Sequence, residues 1–400
     1  MIMTLINYRQ SIKNICISLG VFFLFFGYNT VVKKTIGMVL IYLGLFLLLM
    51  CIIKEICKHI TLNINKNQCM FITLFVLLST GLLLQEDLTL IQKMSPIVSF
   101  FIMILLYIYG YHLIDNLEKI RLFGYVLLFT FIFSLIVSPM IGSEIIMRPT
   151  EGMNYALTAG LGHKNSSSIC LLASFMAIAL YYKFSYKKRS DFMVMLLLVI
   201  LIIAGASRAS WLLMLIFVAL LNQDILKRIK TGSRFIFYVL LTGFIIFCGY
   251  VFVSMIALES ESYGVRLMGL YSYLFQYGDD YSVMLLGHGD ILYNDAYGDY
   301  DHRIWRLLGG VGTFEIAYID MLAKNGILGI IGYIYIYFYP ILIGMKAKVL
   351  LHKVALISLS TVAVVSGTVD VFITLVTSPY TVFLLCGLSF FKHEYEQYEE

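Results

Sequence analysis

Long apolar runs of similar length, broken by short polar stretches, fill the chain from Ile15 to Phe391. A helix crossing a bilayer needs roughly 20 apolar residues, with about 17 as a lower limit. Runs near that length cover Ile15–Val32, Thr35–Ile53, Cys69–Leu84, Ser95–Ile114, Ile120–Met140, Ser166–Tyr182, Phe235–Ile256, Ile327–Met345 and Val354–Val369. Two shorter runs, Phe192–Ala206 and Ala209–Leu221, read as a hairpin, and a last run extends from Thr377 to Phe391. The pattern predicts an all-α polytopic membrane protein with about 12 transmembrane helices. One integral membrane domain then covers residues 1–400, with a single large non-cytoplasmic loop, residues 257–315, before the tenth span. Uninterrupted runs suit helices, which satisfy their own backbone in lipid, and not the alternating strands of a membrane barrel.

Composition sharpens this reading. Hydrophobic residues make up 60% of the chain and charged residues 13%, about half the charged share of a soluble domain. The first run has no small-residue cleavage site behind it and is expected to stay as a span. Placing both termini in the cytoplasm puts 19 of the 29 Lys and Arg on the inner side, all in short loops, as the positive-inside rule requires. Carboxylates lean outward, and ten of them lie between Glu259 and Asp320. The large loop is rich in aromatic residues and glycine (Tyr293, Tyr297, Trp305, Gly309, Gly310), which favours an ordered, functional element. At its start, Tyr263, Leu267, Leu270, Tyr271, Leu274 and Phe275 recur at helical spacing, as in a helix lying on the membrane surface. The seven cysteines lie in or beside apolar runs without a CxxC pair, so neither a disulfide framework nor a metal site is expected.

Candidate chemistry concentrates on the outer side. The hairpin Phe192–Leu221 has 30 residues where two full spans need about 40, so its turn, Gly205-Ala206-Ser207-Arg208, should lie recessed. An arginine there needs an anion, a carboxylate such as Asp370, or the headgroup layer. Before the sixth span come Arg148, then Gly162-His163-Lys164-Asn165-Ser166. Asn165 or Ser166 suits the N-cap, and Lys164 beside a helix N-terminus is either an interfacial anchor or part of a phosphate site. Arg266 lies on the surface helix, Gly287-His288-Gly289-Asp290 reads as a tight turn, and His302, Arg303 and Arg306 form a small basic cluster. Those three residues either bind phosphate, sugar or acidic lipid, or form a solvated loop face. Thr313 is expected to cap a helix running straight into the tenth span, with Glu315 in its first turn about 16 Å above Gly326. There Glu315 either acts as a general base or stabilises the helix start.

The order of these features resembles the O-antigen polymerase (Wzy) and O-antigen ligase superfamily. The resemblance covers roughly residues 148–332. It rests on Gly162-His163-Lys164-Asn165 before a span, Ser207-Arg208 in a short hairpin, Arg266 at the loop start, Gly287-His288-Gly289 in the loop, and Gly326-Ile327-Leu328-Gly329 opening the next span. Where the ligases carry a His followed by Asn, Ser or Gln, this chain has Glu315-Ile316, which favours the polymerase branch. The resemblance implies a bacterial plasma-membrane glycosyltransferase that joins undecaprenyl-diphosphate-linked oligosaccharide repeats into a surface polysaccharide on the outer leaflet. Glu315, Arg208 and Arg266 would be catalytic, while Arg148, His163, Lys164, Asn165, His288, His302, Arg303 and Arg306 would bind substrate. No cofactor, metal or nucleic acid is implied. Membrane lipid, a chain-length regulator and a flippase would be its partners. The alternatives are ligase-type transfer to a lipid or protein acceptor, and a flippase or transporter for lipid-linked oligosaccharides.

Overall fold

The structure, a computed structural model, describes residues 2–58, 66–84, 89–147, 155–161, 163–223, 274, 278–288, 316–370 and 372–398. The expected ninth span, all of the surface helix except Leu274, and most of the large loop lie outside the described residues. Twelve α-helices of six or more residues frame the described residues, besides the single turn Thr30–Val32. They are α1 (Ile2–Phe26), α2 (Met38–Lys58), α3 (Lys66–Leu84), α4 (Leu90–Tyr109), α5 (Leu117–Met140), α6 (Lys164–Phe184), α7 (Arg189–Ala204), α8 (Arg208–Leu221), α9 (Tyr281–Leu286), α10 (Ala317–Lys346), α11 (Leu350–Val369) and α12 (Pro379–Tyr398). Among the described residues, six helical segments are long and apolar enough to cross a membrane, and three shorter apolar ones accompany them.

Burial runs opposite to apolarity. The most apolar segment, Thr30–Cys57, is the least buried, and Lys164–Phe184, the least apolar of the six, is the most buried. On α2 the side chains of Val39, Tyr42, Phe46 and Met50 point outward, as do Phe192, Leu196, Ile200 and Ile203 on α7. Exposed apolar faces of this extent are stable only against lipid. Inside, α6 packs against α5, α7, α8 and α12, while α12 also meets α4 and α11. Helices shielded by protein can carry polar groups: Ser167, Ser168 and Ser174 are buried on α6, and Thr381, Ser389 and Lys392 on α12. The α1–α2 pair closes through small residues, since a Cβ on Gly44 would stand 2.6 Å from the Gly20 carbonyl oxygen. Without side chains between them the backbones touch, which is how membrane helices gain packing energy.

Contacts between helix ends sort into two groups, one at each end of the bundle. At one end the Asn29 amide donates to Ser134 and Ser138 Oγ (3.1 and 2.8 Å), and both serines donate to the Ala159 carbonyl at 2.8 Å. Thr30 N–H bonds the Gly160 carbonyl, and the Tyr28 and Thr377 hydroxyls meet at 3.0 Å. At the other end Asp115 accepts from Lys13 (2.8 Å) and Lys119 (2.5 Å). There the fully buried Asp191 accepts two bonds from Arg121 (2.8 and 3.1 Å) and one from Tyr125 (2.6 Å). The Lys13–Asp115–Lys119 and Arg121–Asp191 groups therefore lie where the sequence expects the cytoplasmic loops, and the network around Asn29 lies where it expects the outer ones.

Candidate functional site

The chain reaches α6 through a constrained turn. Ala159 and Gly160 have φ of 52° and 73°, and a Cβ on Gly160 would lie 2.3 Å from Ser138 Oγ, so the pinned loop admits only glycine there. His163 follows with extended dihedrals, and its Nδ1 accepts from Asn165 N–H at 3.3 Å. His163 is therefore the N-cap, correcting the expectation of Asn165 or Ser166. The extended entry places the cap two residues earlier and leaves the Asn165 side chain available. Asn165 Oδ1 accepts instead from Ser207 Oγ at 3.1 Å.

Ser207 belongs to the expected recessed turn. With 16 residues in α7 and 14 in α8, the two helices rise about 24 and 21 Å, less than a hydrocarbon core of about 30 Å. The reversal uses Gly205 and then Ala206 at φ 50°. Ser207 is buried and caps α8, its Oγ accepting from Ser210 N–H at 3.4 Å. Trp211 ties α8 back to α7, donating from Nε1 to the Ile202 carbonyl at 3.0 Å. A Cβ on Gly205 would stand 2.2 Å from Ser168 Oγ, a buried hydroxyl with no hydrogen-bond partner. The turn thus lies directly on the first turn of α6.

This stacking brings two helix N-termini together. Lys164 and Arg208, the first residues of α6 and α8, flank the hydrogen bond between Asn165 and Ser207, which brings the two like charges to one place. Each also stands at the positive end of a helix dipole. Among the described residues no carboxylate pairs with Arg208, which is exposed, so the alternative of a bond to Asp370 does not hold. Two cations and two helix N-termini form an electropositive niche suited to a multiply charged anion.

A second arrangement lies at the start of α10. Gly287, which ends α9, and Gly326, within α10, have φ of 87° and 63°. A Cβ on Gly287 would lie 2.4 Å from Asn325 N, and one on Gly326 would lie 2.4 Å from the Leu285 carbonyl. The two glycine motifs singled out in the sequence are thus halves of one backbone-to-backbone junction. His288 N–H donates to the Ala323 carbonyl at 2.7 Å, fixing His288 against α10. The described helix begins at Ala317 with Ile316 as its cap, and the expected Thr313 cap and Glu315 lie outside the described residues. One expectation for this region is corrected: the helix does not run straight into the span, because the non-helical dihedrals of Gly326 kink α10 there.

Asp320, which sequence reasoning passed over, is buried in this region. It pairs with Lys324 at 3.0 Å and accepts from Thr374 Oγ1 at 3.2 Å. Its i,i+4 spacing to Lys324 was the available signal. The structure therefore brings Lys164, Asn165 and Arg208 together with His163, and places His288 on α10. Arg148, Arg266, His302, Arg303, Arg306 and Glu315 lie outside the described residues. Among the described residues no group of three or more His, Cys, Asp or Glu is placed to hold a metal ion. Comparison with protein-family models gives no match, and comparison with curated proteins gives none either.

Proposed function

We propose that the protein polymerises undecaprenyl-diphosphate-linked oligosaccharide repeats on the outer leaflet of a bacterial plasma membrane. In this reading the chain has about twelve spans and both termini in the cytoplasm. The observation that carries the proposal is the convergence of the α6 and α8 N-termini with Lys164 and Arg208 at the end of the bundle that carries the neutral polar network. A diphosphate leaving group is the multiply charged anion such a niche would hold. The acceptor hydroxyl gives its proton to a carboxylate, for which Glu315 is the candidate, and its oxygen attacks the anomeric carbon of the growing chain. The bond from that carbon to the diphosphate breaks, and undecaprenyl diphosphate departs with the electron pair. Negative charge builds on the leaving oxygen, where fixed cations stabilise the transition state more than the ground state. Removing one such group costs on the order of 10²–10³ in rate.

Deletion followed by gel analysis of surface polysaccharide tests the reading. The deletion strain should show single repeats in place of long chains. Polymer still attached to undecaprenyl diphosphate would mean a ligase, and loss of both products a flippase. Arg208→Ala and Lys164→Gln should each shorten or abolish the polymer, and normal chains in both variants would refute the site.

A further inference from the structure

At the opposite end of the bundle, beside the paired charges, α3, α4 and α12 enclose a cavity of about 130 Å³. Phe71, Tyr107 and Tyr111 supply aromatic walls, and Lys392, His393 and Glu396 supply the titratable groups. Tyr107 is fully buried, and its hydroxyl, at the cavity wall, has no hydrogen-bond partner. Leaving such a group unsatisfied costs about 1–3 kcal/mol, so a polar occupant there gains directly. Lys392 is also buried. Its ammonium lies 5.0 Å from the Tyr107 ring centroid and forms an i,i+4 ion pair with Glu396 at 3.6 Å. His393 stacks on Tyr111 with centroids 3.8 Å apart, and burial, with Lys392 adding to it, holds its imidazole below the usual range. The cavity wall therefore presents an ammonium and a carboxylate beside its aromatic faces.

We propose that this cavity binds a zwitterion made of a phosphate and a primary ammonium, the chemistry of a phosphoethanolamine headgroup. Phosphate oxygens accept from the Tyr107 hydroxyl and the Lys392 ammonium. The ligand's ammonium turns to Glu396, which attracts it through charge. The volume admits a group of several heavy atoms. Residues 107–111 close α4 and residues 392–396 lie in the last turns of α12, so in the proposed topology the cavity would open toward the lipid headgroups. A lipid is then the source closest to hand, with soluble phosphoethanolamine as the other.

The test uses the full chain in nanodiscs of phosphatidylethanolamine or of phosphatidylglycerol, read by thermal unfolding and by native mass spectrometry of retained lipid. Phosphatidylethanolamine should be retained about tenfold over phosphatidylglycerol and should raise the melting temperature. Tyr107→Phe and Lys392→Met should erase both effects. Tyr107→Phe removes an unpartnered hydroxyl, so in phosphatidylglycerol it should melt no lower than the parent, which separates lost binding from misfolding. Soluble phosphoethanolamine giving the same increment in phosphatidylglycerol discs would assign the site to the free zwitterion, and no increment would assign it to lipid. Equal retention of the two lipids, or a preference that survives both substitutions, overturns the proposal.

Discussion

Replacing Gly326 by alanine isolates what the α9–α10 junction is worth. The new Cβ meets two costs. Its backbone, at φ 63°, lies in the left-handed region, where a non-glycine residue loses about 1–2 kcal/mol. It would also stand 2.4 Å from the Leu285 carbonyl and 2.6 Å from Gly287 N, both backbone atoms that cannot rotate aside. Restoring ordinary contact requires α9 to move by about 1 Å, an overpacking cost of about 1–3 kcal/mol. The total is about 2–5 kcal/mol. Gly142 provides the control: its φ is 76°, but an added Cβ meets nothing within 4 Å, so Gly142→Ala should lose only the backbone share of about 1–2 kcal/mol. Thermal unfolding of both variants in the same detergent reads the difference. Gly326→Ala should melt clearly below Gly142→Ala, and equal melting temperatures, or the reverse order, would refute the interlocking of the two backbones.

Removing Asp191 by Asp191→Ala should strip Arg121 and Tyr125 of their shared acceptor and cost about 3 kcal/mol, the lower end for a broken buried pair because Arg121 is partly exposed; a loss under about 1 kcal/mol by thermal unfolding would show the pair to be screened. Ser207→Ala should cost about 1 kcal/mol as a lost N-cap, with Ser207→Thr restoring most of it in the same melting assay. Burial alone would raise the Asp115 carboxyl, but the ammonium groups of Lys119 and Lys13 bonded to it outweigh that and hold it below the usual range. Its stabilising contribution is therefore complete above the unfolded value of about 3.9 and is lost as pH falls through the lower folded value, so melting temperature should drop on acidification below about pH 4. Asp115→Asn should flatten that part of the profile, and an unchanged drop would assign the acid sensitivity to other carboxylates.

Spans were the most legible part of the chain, because lipid demands length and apolarity that sequence displays directly. The hairpin expected at Phe192–Leu221 is present as α7 and α8, its turn where Gly205 and Ser207 mark it. Partnerships were not legible in the same way. Gly287 and Gly326 each stood out as motifs, yet their contact depends on two segments meeting in space, which no local pattern encodes. The cap of α6 was misplaced by two residues because the entry angle set by Ala159 and Gly160 outweighs the intrinsic capping preference of Asn165. Ser168 was invisible as a site residue, since a serine in an apolar helix reads as packing until the Gly205 turn is seen resting on it. The burial of Asp320 depends on Thr374 arriving from a distant segment, which no local pattern encodes.

The shielding of α12 has a consequence for how the protein is made. This helix is not among the six segments apolar enough to cross a membrane, and it buries Thr381, Ser389 and Lys392 against its neighbours. A segment with such groups partitions weakly into lipid by itself. It follows α4, α6 and α11 in the chain, so those helices are already in the bilayer when it emerges from the ribosome. In the proposed twelve-span topology its insertion is then an assembly step, and damage to the groove between those three helices should leave the C-terminal segment stranded outside the membrane and open to proteolysis.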